Sequence, residues 1–300
     1  MQTLLRDSLR SAFSSALLIL KYVVPFYLLA DILDHFDLLH HLGFLFAPLT
    51  GLLDLPTGAA VALAGGVFIN VYAAIALAAP LGLSPYQWTV LGVFIGVCHS
   101  MPVESAIMRR IGLSWTYSFL LRGIGACVAV IPVLLLPASF FAATSPPPAV
   151  DLPAAVDPTF LIMLGRSLSG ALILSAKIIL LISLIIVVMD LVKSTRFVQA
   201  RLARVNTGFS IIVGQLLGIT YGASILIREA DRGALSREDI LFVGTFLMIC
   251  HAIIEDVLLF VLLGANWLVI VTVRLSAAIL ISYAVLHLYR LFVPKRPAPS

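Results

Sequence analysis

The chain has 300 residues, 61% of them hydrophobic and only 11% charged, with a mean hydropathy of +1.10. Ordinary globular chains run at roughly 45–50% apolar and about 25% charged, and a soluble domain of this length could not bury the excess. The composition is that of a polytopic membrane protein. The formal charge of +4 does not signal nucleic-acid binding, because the basic residues lie between apolar runs rather than in one patch. Cys98, Cys127 and Cys250 all sit inside apolar stretches and form no even framework, which argues against disulfide stapling.

A hydrocarbon core about 30 Å thick needs ~20 apolar residues of helix. The first qualifying run, Ser11–Leu33, follows Arg6 and Arg10; it is long for a signal peptide and lacks a small-residue cleavage site, so it reads as a retained span. An acidic, His-rich linker comes next, with Asp31, Asp34, His35, Asp37, His40 and His41. The run Thr57–Ala79 carries Gly65, Gly66 and Asn70 at mid-span, and small residues there favour close helix packing. Gln87–Ile111 is interrupted by Cys98-His99-Ser100-Met101-Pro102-Val103-Glu104. After the span Trp115–Ala143, the prolines of Thr144–Pro158 mark a helix-breaking linker on the external side. Leu161–Val192 spans again, and Ser194–Asn206 mixes apolar residues with Arg196, Arg201 and Arg204, as an interfacial helix or an ordinary basic loop would. Thr207–Ile227 holds Gly214, Gln215, Gly218, Thr220 and Gly222 at mid-span. Asp239–Leu263 is interrupted by Cys250-His251-Ala252-Ile253-Ile254-Glu255-Asp256, and Trp267–Phe292 closes the series.

The two halves repeat. Leu83-Ser84 returns as Leu235-Ser236, Gly92 as Gly244, Cys98-His99 as Cys250-His251, Gly112 as Gly264, Trp115 as Trp267 and Arg122 as Arg274, always 152 positions on (251 − 99; 274 − 122). Glu104 falls opposite Asp256. Towards the start the match loosens, with Lys21 set against Lys177 after a short insertion. The repeats are residues 1–143 and 159–300, joined by the linker 144–158.

Basic residues near spans favour the cytoplasmic side. If both interrupted segments cross fully, eight spans result and the basic residues divide almost evenly. If each enters and returns as a hairpin, over 87–111 and 239–263, six spans remain. Arg6, Arg10, Arg109, Arg110, Lys193, Arg196, Arg201, Arg204, Arg290, Lys295 and Arg296 then lie inside, and only Arg228, Arg232 and Arg237 outside. The second arrangement is the expectation. It gives an all-α polytopic membrane protein of two inverted repeats, each three transmembrane helices plus one re-entrant helical hairpin, in a cell (inner) membrane with both termini cytoplasmic. Each hairpin arm is about a dozen residues, or ~18 Å of helix, so the Cys-His tips meet near the bilayer midplane.

This layout, with the Pro-Gly-punctuated stretches Ala47-Pro48-Leu49-Thr50-Gly51 and Leu55-Pro56-Thr57-Gly58, resembles the nucleoside-recognition (Gate) family of membrane domains. Relatives in that family include concentrative nucleoside transporters, the membrane part of ferrous-iron transporter B and spore maturation membrane proteins. The resemblance implies an architecture and a bias towards transport, and carries over no ligand.

Ionisable residues inside a membrane are costly and usually face a pathway or a partner. Cys98, His99, Cys250, His251 and Glu255 at the interruptions are candidates for a central solute or ion site, as are Lys21, Lys177, Asn70, Gln215 and Thr220 at mid-span. Depth arithmetic sets Arg122 against Glu104 and Arg274 against Asp256, as two structural ion pairs binding each interrupted segment to the following span. An unpaired mid-span lysine would make the centre positive and suited to an anionic solute. His99 and His251 suit proton coupling, with an unperturbed pKa near 6.5, or a borderline metal ion. The leading expectation is a secondary transporter of a small polar or anionic solute held between the two tips. The alternatives are a transition-metal ion transporter and a structural membrane protein that moves nothing. No Ser-His-Asp or His-Glu-x-x-His pattern suggests an enzyme, no cofactor is implied, and the partners are the lipid bilayer and a small solute, with a homo-oligomer left open.

Overall fold

The computed structural model describes residues 2–38, 47–137, 139–142, 159–195, 227 and 236–292. The ordered elements among them are all helical. They are α1 (Gln2–His35), α2 (Ala47–Leu52), α3 (Ala59–Phe68), α4 (Val71–Ala78), a 3-10 turn (Ala79–Leu81), α5 (Pro85–Cys98), α6 (Met101–Arg110), α7 (Trp115–Leu134), α8 (Ser139–Ala142), α9 (Phe160–Ser194), α10 (Arg237–Ile249), α11 (Ile253–Val261) and α12 (Trp267–Phe292). Among the described residues, six stretches are long and apolar enough to cross a membrane: Ser8–His35, Pro85–Arg110, Trp115–Leu134, Phe160–Val192, Arg237–Val261 and Trp267–Phe292. The chain is a multi-pass helical membrane protein.

Local chemistry sets the helix boundaries. Ser84 and Gln87 form a reciprocal capping box at the start of α5, and Ser236 and Asp239 form the equivalent box on α10. Ser114 caps α7, and Asn266 accepts from the backbone of Leu268 and Val269 at the start of α12. Between α5 and α6 the chain turns through Ser100 at φ 47°, and between α10 and α11 through Ala252 at φ 46°. A left-handed residue cannot continue a right-handed helix, so both segments break there. Pro102 then falls in the first turn of α6, where its missing N–H is harmless.

The interrupted segments do not fold back as hairpins. α7 has 20 residues, about 30 Å of helix, and starts directly after α6. Just past its far end, the Phe141 ring lies 5.3 Å from Tyr86, at the start of α5. Pro85 and Arg110 are therefore at opposite ends of the bundle, and α5–α6 crosses it as one broken helix. The same holds for α10–α11. The Asn266 N–H, just past α11, donates to Thr89 of α5 at 2.9 Å, whereas Arg290 near the end of α12 pairs with Glu238 at the start of α10. The two broken helices run in opposite directions.

The chain folds back on itself elsewhere. Thr57–Ala79, expected as a full span, is instead the helix pair α3 and α4, folded against each other through Gly65, Gly66, Ala73 and Ala74. Each is only about 12–15 Å long at 1.5 Å per residue. The turn between them, Ile69–Asn70, meets the break in α5–α6: Ser100 donates from N to Gly66 O at 3.0 Å and from Oγ to Ile69 O at 3.1 Å. A Cβ on Gly66 would stand 2.8 Å from that of Ala74, so the close approach of the two arms depends on the glycine.

α1 and α9 pack antiparallel along their lengths, tied by Ser8 to Asp190 at 2.7 Å and by Ser167 to Asp31. The two bonds are related by one interval (167 − 8 and 190 − 31 both give 159), which also relates buried Ile19 to Ile178 and Val23 to Ile182. Lys21 and Lys177 do not share that interval, so their pairing in the sequence comparison was a neighbouring register. Arg237, expected on the external side, lines the same surface depression as Arg110 and Tyr289. It therefore shares an end with Arg109, Arg110 and Arg290. Asp54 stands at the opposite end, bonded to the Tyr86 hydroxyl. The linker 144–158, the segment 196–226 and residues Arg228 and Arg232 lie outside the described residues.

Candidate functional site

The two helix breaks meet. The His99 and His251 rings are 5.1 Å apart between centroids, and both residues are buried. Each is the last residue before its left-handed turn, and each ring bonds the carbonyl one helical turn back. Nδ1 of His99 donates to Ile95 O at 2.8 Å and Nδ1 of His251 to Leu247 O at 2.7 Å. These bonds satisfy carbonyls that the helix ends would otherwise orphan.

Glu104, on the first turn of α6, sits between the rings. His99 Nε2 lies 3.0 Å from its Oε1, and His251 Nε2 lies 3.4 Å from its Oε2. Arg122 of α7 approaches the same carboxylate with Nη1 at 2.8 Å from Oε2. Its other donors are spent on backbone, Nε to Val97 O and Nη2 to His99 O, both at 2.8 Å. Arg274 does the corresponding work on α12. Its Nη2 reaches His251 O at 2.9 Å, Gly96 O at 2.6 Å and Asp256 at 3.3 Å. Both guanidinium groups thus clamp a broken helix by its exposed carbonyls while neutralising a buried acid. A Cβ on Gly96 would come within 2.8 Å of the Arg274 guanidinium, so only glycine admits the arginine there.

The remaining candidates separate. Glu255 precedes Asp256 on α11 and accepts from the Tyr72 hydroxyl at 3.0 Å, which ties the α3–α4 pair to the other half of the chain. Tyr72 was not among the expected site residues; its only signal was a polar tip two positions after Asn70 in an otherwise apolar run. Asn70 itself is spent on structure, capping α4 by accepting from Ala73 N at 2.9 Å. The Cys98 thiol contacts Met101 Sδ at 3.1 Å, and Cys250 is fully buried; neither sulfur joins the converging group. Lys21 is exposed on α1, 5.6 Å from the Tyr22 ring centroid, and so faces away from the centre. Lys177 is half-buried on α9 with an interaction of its own. Gln215 and Thr220 lie outside the described residues.

Among the described residues, one group of three or more His, Cys, Asp or Glu side chains converges closely enough to share an ion: His99, Glu104 and His251, with ligand atoms within 4.8 Å of one another. Chemically it offers two imidazole nitrogens and a carboxylate in a dry, arginine-buttressed centre.

The chain is similar over almost its whole length to an uncharacterized membrane protein, YvoD, of Bacillus subtilis (strain 168). The two are 28% identical over 313 aligned positions, covering 98% of this chain and 97% of the relative. No family model matches the chain. No solved structure matches it either.

Proposed function

We propose that this protein is a secondary transporter that passes a small ion or polar solute through a central site between two inverted repeats. The observation that carries the reading is the meeting of two oppositely directed broken helices at a buried His-Glu-His cluster. Broken helices that present polar groups at mid-depth are how secondary transporters build a midplane site, and ionisable groups at that depth are costly and usually face a pathway or a partner. The repeat reading rests on matched details: left-handed breaks at Ser100 and Ala252, positive-φ glycines at Gly112 and Gly264, and paired clamps by Arg122 and Arg274. In this reading each repeat contributes three spans, and the α3–α4 pair is the re-entrant hairpin of the first. The architecture still resembles the Gate domains, whose ligand does not transfer.

The site chemistry favours a cation over an anionic solute. Lys21 faces outward, and Arg122 and Arg274 each lie against a buried acid, although Nε and Nη1 of Arg274 have no hydrogen-bond partner. With neutral imidazoles, Glu104, Glu255 and Asp256 exceed Arg122 and Arg274 by one negative charge. The basic end bearing Arg109, Arg110, Arg237 and Arg290 is assigned to the cytoplasm of a bacterial-type inner membrane.

Access to the centre tests the class. Ser105 is fully buried beside Glu104. Ser105→Cys on a thiol-free background, in sidedness-controlled vesicles, should react with a small hydrophilic thiol reagent added from either face in turn. Protection from both faces would contradict transport.

A further inference from the structure

In each histidine of the cluster one ring nitrogen is already committed. A nitrogen facing a carbonyl must carry the proton, so Nδ1 is the donor in both rings and the lone pair of a neutral ring lies on Nε2. Both Nε2 atoms turn towards the one Glu104 carboxylate. His251 Nε2 is buried with no hydrogen bond of proper geometry. Arg122 engages Oε2 and leaves Oε1 to His99. Two lone pairs turned on a buried carboxylate repel it unless each ring takes up a proton or a cation sits between them, and Arg122 lies against Oε2 only.

The geometry points to a divalent transition-metal site of the zinc type, formed by His99 Nε2, His251 Nε2 and the Glu104 carboxylate. This deepens the transport reading, since the ion is then the cargo, but binding can be measured without transport. The three ligand atoms lie within 4.8 Å of one another, and zinc bonds of about 2.0–2.2 Å require only a modest contraction around the ion. A metal-binding imidazole usually donates its other N–H to a carbonyl or carboxylate, which fixes its tautomer and aim; both histidines are held this way by Ile95 O and Leu247 O. Imidazole nitrogens select zinc, cobalt, nickel or ferrous iron over calcium and magnesium, which prefer oxygen cages. Three protein ligands leave a coordination position open, as an ion that must enter and leave requires. Arg122 stays anchored to Val97 O and His99 O when Glu104 turns from it to the ion. His99 and Glu104 come from one broken helix and His251 from the other, so occupancy ties the two halves together.

The test is titration of Co²⁺ into the purified full-length protein in detergent, followed by visible ligand-field absorption, with Zn²⁺ as competitor. One Co²⁺ per chain, displaced by Zn²⁺, is expected. His251→Gln, His99→Gln and Glu104→Gln should each weaken binding by at least about tenfold, and the Cys98→Ser, Cys127→Ser, Cys250→Ser triple variant should keep it. If Glu104→Gln unfolds because Arg122 loses its partner, the histidine variants carry the test, with folding checked by thermal unfolding. The site is overturned by an absent cobalt spectrum, by a spectrum unchanged in both histidine variants, or by loss of binding in the thiol-free variant. Cobalt binding without any metal flux would leave the site standing and refute the transport reading. Flux of another solute without cobalt binding would do the reverse.

Discussion

Removing the Arg122 guanidinium while keeping its bulk, as in Arg122→Met, deprives the structure of three contacts at once. Glu104 loses the cation 2.8 Å away, and Val97 O and His99 O lose their donors at the end of α5. An uncompensated buried charge costs about 3–5 kcal/mol. Each orphaned carbonyl adds about 1–3 kcal/mol. The sum approaches the whole stability of an ordinary domain, about 5–15 kcal/mol, so Arg122→Met should be severely destabilised. Adding Glu104→Gln removes the stranded charge but not the carbonyl loss. The double variant should therefore regain stability relative to Arg122→Met, although Glu104→Gln alone destabilises the wild type. Thermal unfolding in mild detergent, read from the fluorescence of buried Trp88, measures all three. Losses that simply add would mean that Arg122 and Glu104 do not interact, and would refute the clamp.

Three further outcomes follow from the same geometry. Ala252→Gly relieves a left-handed alanine and should raise stability by up to about 1 kcal/mol, whereas Ala252→Val should lower it; the order of the two melting temperatures is the check. Tyr72→Phe takes the hydroxyl from Glu255 and should cost about 1–3 kcal/mol, and an unchanged melting temperature would mean the two halves are not joined there. Single cysteines on a thiol-free background at Thr57, Ser84 and Thr116 should label with an impermeant reagent from one side for the first two and from the other for the third. Labelling of Ser84→Cys and Thr116→Cys from the same side would restore a hairpin over 87–111.

The polar breaks were legible because histidine and carboxylates inside apolar runs are rare enough to stand out, and equal spacing from the next span matched Arg122 to Glu104 by depth alone. What the sequence could not disclose was which segment turns back. A 25-residue apolar run with a central break has the same composition whether it crosses or returns, and the deciding feature is the backbone at Ser100 and Ala252. The true fold-back at Ile69–Asn70 is marked by one capping amide and two packing glycines, which read equally well as features of a single span. Charge counting then favoured the wrong hairpin because the rival it was weighed against was an eight-span crossing, and its cost was to place Arg237 opposite Arg110 when the two share one end. The lysines misled for a related reason: depth along a helix is visible in sequence, but which way a mid-span residue faces depends on the packing of α1 against α9.

The central claim is that the cluster at the meeting helix breaks is the transport site for a metal cation. Its most direct measurement is Zn²⁺ uptake into proteoliposomes loaded with a fluorescent zinc chelator, comparing the wild type with His251→Gln at equal amounts of folded protein. The account predicts uptake above protein-free vesicles for the wild type and uptake near that background for the variant. Equal rates in the two proteins, or no uptake by either, would contradict it.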